Sequence, residues 1–95
     1  MVNSMPRRTT SLVELDEVVD YWLGCPRHSG YYVEESLIRF LHTFTPEQVK
    51  GAMYLATCQG RGAYFRYFCG IMHNWEKMIE AGEEPPFFDV NGRPP

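Results

Sequence analysis

Apolar residues recur at helical spacing in four stretches of the chain, and residues that favour caps and turns separate these stretches. The first stretch begins after Ser11 and ends at Gly24. Its predicted buried face consists of Leu12, Leu15, Val18, Val19, Trp22 and Leu23. Ser11 and Glu14 have the spacing of a capping box, in which both side chains satisfy backbone N–H groups of the first turn. Gly24 and the following Pro26 predict the end of this helix.

The next two stretches predict one helix from about Tyr31 to His42 and another that starts in the segment Thr-Pro-Glu-Gln. The buried side of the first is predicted as Val33, Leu37, Phe40, Leu41 and Phe44. Thr45 is the expected N-cap of the next helix, Pro46 suits its first position, and Gln48 can close a capping box. This helix carries a narrow face of small and apolar residues, which are Val49, Ala52, Met53 and Ala56. Such a face permits close packing against a neighbour.

The fourth stretch follows the break Gln-Gly-Arg-Gly and predicts a continuous helix from about Ala63 to Ala81. One arc of this helix is apolar and aromatic, and it consists of Tyr64, Tyr67, Phe68, Ile71, Met72, Trp75, Met78 and Ile79. The opposite stripe consists of Arg66, Gly70, His73 and Lys77. Glu76 and Glu80 lie between the two, so the rings are expected inside and the cations outside.

These patterns predict an all-α fold, a compact bundle of about four helices over residues 11–82. Residues 1–10 are polar and are expected to form a mobile arm. Residues 83–95 contain two Pro-Pro pairs and an Asn-Gly, which predict an extended tail. Phe87 and Phe88 are the residues expected to dock that tail on the bundle.

Composition supports a folded core and limits the choice of partners. In 95 residues, 44% are hydrophobic and 15% aromatic, enough for one small domain with large buried side chains. The net charge of −3 argues against a strongly basic nucleic-acid coat but leaves room for a local basic patch. No apolar run is long enough for a bilayer and the N-terminus lacks the apolar stretch of a secretory signal, so no membrane partner and a cytoplasmic location are expected.

The exposed stripe of the fourth helix has two interpretations. It is either an ordinary solvated face, or an edge where Arg and Lys meet phosphates while a nearby ring stacks on a base. The adjoining sequence favours the second interpretation through a resemblance. Tyr67, Ile71 and Trp75 fit the pattern Y-x-x-x-I-x-x-x-W, and the segment from Phe44 to Ala52 precedes it. Over about residues 31–80 the chain resembles the C-terminal helical domain of DnaD/DnaB-type primosome proteins and their phage replisome-organiser relatives.

The resemblance implies a small DNA-replication accessory module that binds single-stranded or duplex DNA or a replication protein such as a helicase. The motif residues carried over are Tyr67, Ile71 and Trp75. The expected nucleic-acid contacts are Arg61, Arg66, Tyr67, His73, Trp75 and Lys77. The alternative is a phage or mobile-element adaptor or inhibitor that binds protein and not nucleic acid, with its acidic first helix facing a basic partner. Self-association is compatible with both.

A third interpretation is a zinc-stabilised domain. Cys25 and His28 form C-x-x-H in a loop, and Cys69 and His73 lie one turn apart on the fourth helix. Together they would offer zinc two thiolates and two imidazoles, although this order matches no common finger framework. The simpler expectation is that the three cysteines are thiols and that no cofactor is bound. No catalytic signature is present: the Gln-Gly-Arg-Gly segment lacks the Lys and Ser or Thr of a phosphate-binding loop, so we expect no enzyme and no catalytic residue.

Overall fold

The computed structural model describes residues 11–25, 31–58 and 65–87, and these residues form four helices and no strand. The helices are α1 (Leu12–Gly24), α2 (Glu34–Leu41), α3 (Pro46–Cys58) and α4 (Phe65–Glu80). The predicted all-α bundle is therefore confirmed. The arm expected at residues 1–10 and the loop that contains Arg61 lie outside the described residues.

Helix α3 lies at the centre of the bundle and packs against the three other helices. Three consecutive residues of it, Gly51, Ala52 and Met53, are buried, so α3 is enclosed on more than one side. The predicted narrow face is confirmed, because Val49, Ala52, Met53 and Ala56 have no exposed surface. Small side chains on α3 let the backbones of its neighbours come close.

Aromatic rings fill the space between α1, α2 and α4. Trp22 of α1 is fully buried and meets Phe65 and Phe68 of α4 at centroid distances of 5.8 and 5.9 Å. Phe68 also packs edge-on against Phe40 of α2 at 5.7 Å. Rings at such distances add edge-to-face attraction to the burial of apolar area. Phe65 is absent from the arc that the sequence predicted, yet it is 3% exposed.

Local sequence predicted the starts of two helices, and the structure bears out the whole capping box at α3 and the Ser11 half of the box at α1. The Oγ of Ser11 accepts a hydrogen bond from the N–H of Glu14 at 3.2 Å. In α3 the capping box is complete: the N–H of Gln48 donates to Thr45 Oγ1 at 3.2 Å, and the N–H of Thr45 donates to Gln48 Oε1 at 3.0 Å. Each cap satisfies N–H groups that the first turn of a helix leaves without an intrahelical partner.

Helix α4 is continuous through Gly70 and ends in a Schellman motif. Gly82 has a φ of 80°, the N–H of Gly82 donates to the carbonyl of Ile79 at 3.0 Å, and the N–H of Glu83 donates to that of Met78 at 2.8 Å. A left-handed residue at this position satisfies the last carbonyls and turns the chain away from the axis. The structure thus assigns helix to residues 65–80 of the predicted 63–81, and Tyr64 lies outside the described residues.

The predicted start of α2 at Tyr31 is wrong, because the helix begins at Glu34. The indole Nε1 of Trp22 donates to the carbonyl of Tyr31 at 3.0 Å, which ties this residue to α1. Val33, the N-cap, is extended, with φ −115° and ψ 112°. The non-helical backbone of residues 31–33 thus accompanies a tertiary contact that the local sequence pattern does not reveal.

The predicted buried face of α1 is too broad. Leu15, Val18 and Trp22 are buried, whereas Leu12 is 78% and Leu23 is 42% exposed. Leu23 lies about 100° around the helix from Trp22, and Leu12 lies in the first turn, at the end of the packed stripe. The buried stripe of α1 is therefore narrower than the run of apolar letters.

The tail that follows α4 docks on the bundle through Phe87. Its ring lies 5.2 Å from Trp75 and 6.3 Å from Phe44, and Pro85 is buried beside it. This confirms docking for Phe87, while Phe88 lies outside the described residues. None of the four described helices is both long and apolar enough to cross a bilayer.

Two glycines should respond to alanine in opposite directions. A Cβ at Gly70 would meet no atom within 4 Å in the middle of α4, so Gly70→Ala should raise the free energy of unfolding by about 0.5–1 kcal/mol. Gly82 has positive φ, so Gly82→Ala should lower the free energy of unfolding by about 1–2 kcal/mol. Urea unfolding followed by circular dichroism measures both changes. A shift of the same sign in the two variants would contradict the assigned backbone geometry.

Candidate binding site

An open cleft of about 860 Å³ lies along α4. We call it the α4 cleft, and the described residues that line it are Leu55, Arg66, Tyr67, Gly70, Ile71, Asn74 and Trp75. All of them except Leu55, which comes from α3, belong to α4. The cleft therefore lies at the seam between these two packed helices.

Two rows of α4 at four-residue spacing build the cleft. The first row is Arg66, Gly70 and Asn74, and these three residues are exposed. The second row is Tyr67, Ile71 and Trp75, which is the motif that the resemblance singled out. Residues four apart lie one above the other on a helix face, so each row follows the length of the cleft. The second row supplies its apolar floor, and the missing side chain at Gly70 leaves its middle open.

Exposure differs along the motif row. Trp75 is 2% exposed and packs on Phe87 and Phe44, so this ring anchors α4 to the bundle. Tyr67 and Ile71 are half-buried, so each shows part of its apolar surface in the cleft. The sequence analysis placed these three residues in one row but did not predict that Leu55 or Asn74 lines a site. Asn74 could have been found, because it lies four residues after Gly70 and continues the row of Arg66 and Gly70.

The predicted cation stripe is arranged along the outside of α4. Arg66, Gly70, His73 and Lys77 are all exposed. Of these, only Arg66 and Gly70 line the cleft. The ion pairs found among the described residues are Lys50 with Glu17 and His73 with Glu76, so neither Arg66 nor Lys77 has a counterion there.

His73 is held between two charged side chains. Its Nε2 lies 3.4 Å from an Nη of Arg39 on α2, and its Nδ1 lies 3.2 Å from Glu76 Oε1. A guanidinium only donates and a carboxylate only accepts, so the arrangement suits a neutral ring with its proton on Nδ1. The edge of the imidazole also meets the Phe40 ring at 5.6 Å. No local pattern predicts the contact with Arg39, because 34 positions separate it from His73.

The chain as a whole is moderately acidic. Its twelve acidic and nine basic residues give a formal net charge of −3. Among the residues that the structure describes, the basic ones are Arg39, Lys50, Arg66 and Lys77, and of these Arg66 lines the α4 cleft. The cleft therefore carries a positive charge on a moderately acidic chain.

The proposed zinc ligands show no shared site within the described residues. Cys25 is buried after α1, Cys69 is half-buried on α4, His73 is engaged as described, and His28 lies outside the described residues. Burial raises the pKa of Cys69 to about 11, although the nearby charge of Arg39 opposes the rise. No group of three or more potential metal ligands occurs among the described residues. The zinc site therefore stays a prediction, because His28 lies outside the described residues.

Comparison with known proteins gives no relative, because no family model, curated protein or solved structure matches the chain. The resemblance to the primosome domain therefore stays a hypothesis that rests on the residues quoted for it.

Cys69 should react slowly with thiol reagents at neutral pH. Only the thiolate attacks iodoacetamide, so the alkylation rate should keep rising with pH toward the pKa of about 11. Arg39→Gln removes a charge that stabilises the thiolate, so the variant should react more slowly at each pH. Short iodoacetamide pulses followed by peptide mass spectrometry measure the rate, with glutathione as the reference thiol and circular dichroism as the check on folding. A rate that levels off at an ordinary thiol pKa of about 8.5 would contradict the assignment.

Proposed function

We propose that this chain is a protein-interaction module that binds a segment of a partner protein in the α4 cleft. The observation that carries the proposal is an open, mostly apolar cleft with half-exposed Tyr67 and Ile71 at its floor. Partly exposed aromatic and aliphatic side chains in a concave site are typical anchors of protein interfaces. The chain acts, on this proposal, as an adaptor or inhibitor by binding and not by catalysis.

The charge of the chain supports a protein partner over a nucleic acid. A DNA strand carries a phosphate at every nucleotide and draws most of its affinity from clustered Lys and Arg. Around the cation stripe the described surface also presents Glu76, Glu80 and Glu83, and the net charge of −3 of the chain disfavours a polyanion. A protein segment needs no such repeated charge, and its apolar side chains gain from the cleft floor.

A DNA-replication accessory role is the second candidate, and one observation favours it. The cations of α4 lie on the exposed stripe as the sequence predicted, and Arg39 of α2 adds a guanidinium next to His73. With Arg66 and Lys77 unpaired within the described residues, two of these charges are available to phosphates. In this candidate the helicase-type partner implied by the resemblance would use the same helix.

Filling the cleft should remove partner binding. Gly70→Phe places a ring in the middle of the cleft, and nothing within 4 Å of the Gly70 Cβ position opposes it. Gly24→Phe is the matched control, because Gly24 is also an exposed helical glycine with open space but lies on α1. The amount of partner protein that is recovered by affinity purification and quantified by mass spectrometry should fall at least about tenfold with Gly70→Phe. It should be unchanged with Gly24→Phe. Equal recovery with both variants would overturn the proposal.

A salt titration tests the DNA candidate. If Arg66 and Lys77 neutralise phosphates, single-strand affinity should fall steeply with salt, and Arg66→Ala with Lys77→Ala should reduce the slope of log K against log salt by about 1.4. Lys50→Ala is the control, because Lys50 is already paired with Glu17. Fluorescence anisotropy with a labelled oligonucleotide measures the affinity. An unchanged slope in the double variant would exclude this edge as the DNA contact.

A further inference from the structure

Arg66 gives the α4 cleft a chemical polarity. It is exposed at the first turn of α4, and it is the one charged side chain among the described residues that line the cleft. The first turn of α4 contains no acidic residue, so the positive end of the helix macrodipole adds to the charge of Arg66. One end of a mostly apolar cleft therefore attracts a negative group.

The other cations of the described helices have partners or lie elsewhere. Arg39 contacts His73 and lies over the Phe40 ring at 5.4 Å, and Lys50 pairs with Glu17. Lys77 is exposed on α4 but does not line the cleft. Within the described residues Arg66 is thus the guanidinium that faces the cleft without a carboxylate partner. A planar guanidinium binds a carboxylate through two parallel hydrogen bonds, which gives direction as well as affinity.

We propose that the occupant of the α4 cleft is an acidic–apolar protein segment, in which a carboxylate binds Arg66 and a neighbouring apolar side chain packs on Tyr67 and Ile71. This inference rests on the proposed function and specifies the partner's chemistry. Ile71 lies five residues beyond Arg66, which is about 7–8 Å along a helix. An extended peptide covers that span in about two to three residues. The carboxylate and the apolar anchor therefore lie within a few positions of each other in the partner.

The charges of the cleft suit one carboxylate better than a chain of phosphates. Asn74 continues the rim with a polar side chain, and its weak 4.0 Å contact to the sulfur of Met78 is easily exchanged for a partner's carbonyl. Beyond the rim, Glu76 and Glu80 flank the cation stripe and would repel further negative groups. The site thus matches one acidic group followed by apolar residues, with the rest of the partner neutral or basic to suit the acidic chain.

Selection from a library of random short peptides displayed on phage tests this inference without knowledge of the partner. Wild-type protein should enrich peptides that place Asp or Glu within a few positions of an aromatic or aliphatic residue. Arg66→Gln should lose the acidic preference and Arg66→Glu should replace it with Lys or Arg. Lys77→Gln is the matched control, because it removes a cation from the same helix outside the cleft, and it should select the same peptides as the wild type.

A binding cycle then quantifies the contact. The best peptide and its counterpart with the carboxylate replaced by an amide are titrated against wild type and Arg66→Gln by isothermal calorimetry. The amide should weaken binding to wild type by about tenfold and leave binding to Arg66→Gln almost unchanged. An equal loss on both proteins would overturn the carboxylate contact.

The selection also separates this inference from the proposed function. Selected peptides that are lost with Gly70→Phe need the open cleft. If those peptides show no preference for acidic residues, the acidic–apolar assignment is overturned, while the proposed protein-binding function stands. If no selected peptide depends on Gly70, both the inference and the protein-binding cleft fail. Circular dichroism of each variant shows whether it is folded, and the exposed positions of Arg66, Gly70 and Lys77 make these substitutions compatible with the fold.

Discussion

The enclosure of α3 by the other helices determines where every other surface lies. Ala52 and Ala56 have no exposed area, and small side chains at these positions bring neighbouring backbones close. Helix α4 then packs along α3 with Phe68 and Met72 inside. Tyr67 and Ile71 lie beside these buried residues on the surface of α4, and they stay half-buried at a seam with Leu55. The α4 cleft is thus a consequence of close helix packing.

The circumference of α4 is divided by this packing into three parts with different roles. Phe65, Phe68, Met72 and Trp75 are buried and stabilise the bundle. Tyr67 and Ile71 are half-buried at the seam, and the row of Arg66 and Gly70 is exposed. Phe87 packs on Trp75, which is 2% exposed, so the tail covers the residue of the motif row that lies farthest from Arg66. The cleft is therefore bounded by packed residues of both of its helices.

The sequence predicted features that depend on neighbouring residues and missed those that depend on distant ones. Thr45 and Gln48 cap α3 as expected, because both partners of the box lie within one turn. The predicted start of α2 was wrong, and the bond from Trp22 to the carbonyl of Tyr31 that precedes this helix comes from another helix. Helical spacing placed Tyr67, Ile71 and Trp75 on one arc of α4, and the resemblance singled them out as a motif. The cleft was not predicted, because it needs Leu55 on a second helix, and no periodicity reveals which half-buried residues meet across a seam.

The positive charge of Arg66 and the net negative charge of the chain together determine which occupants the cleft can bind. At physiological ionic strength a charge is screened beyond about 8 Å, so a carboxylate close to Arg66 interacts mainly with that guanidinium. A chain of negative charges extends past this distance, and α4 and the turn after it carry Glu76, Glu80 and Glu83, which repel such a chain when it follows the helix. The cleft therefore discriminates between occupants by their number of negative groups. A single acidic group is attracted by Arg66, and each further negative group adds repulsion. Low salt should sharpen this discrimination, because screening then hides less of the acidic surface.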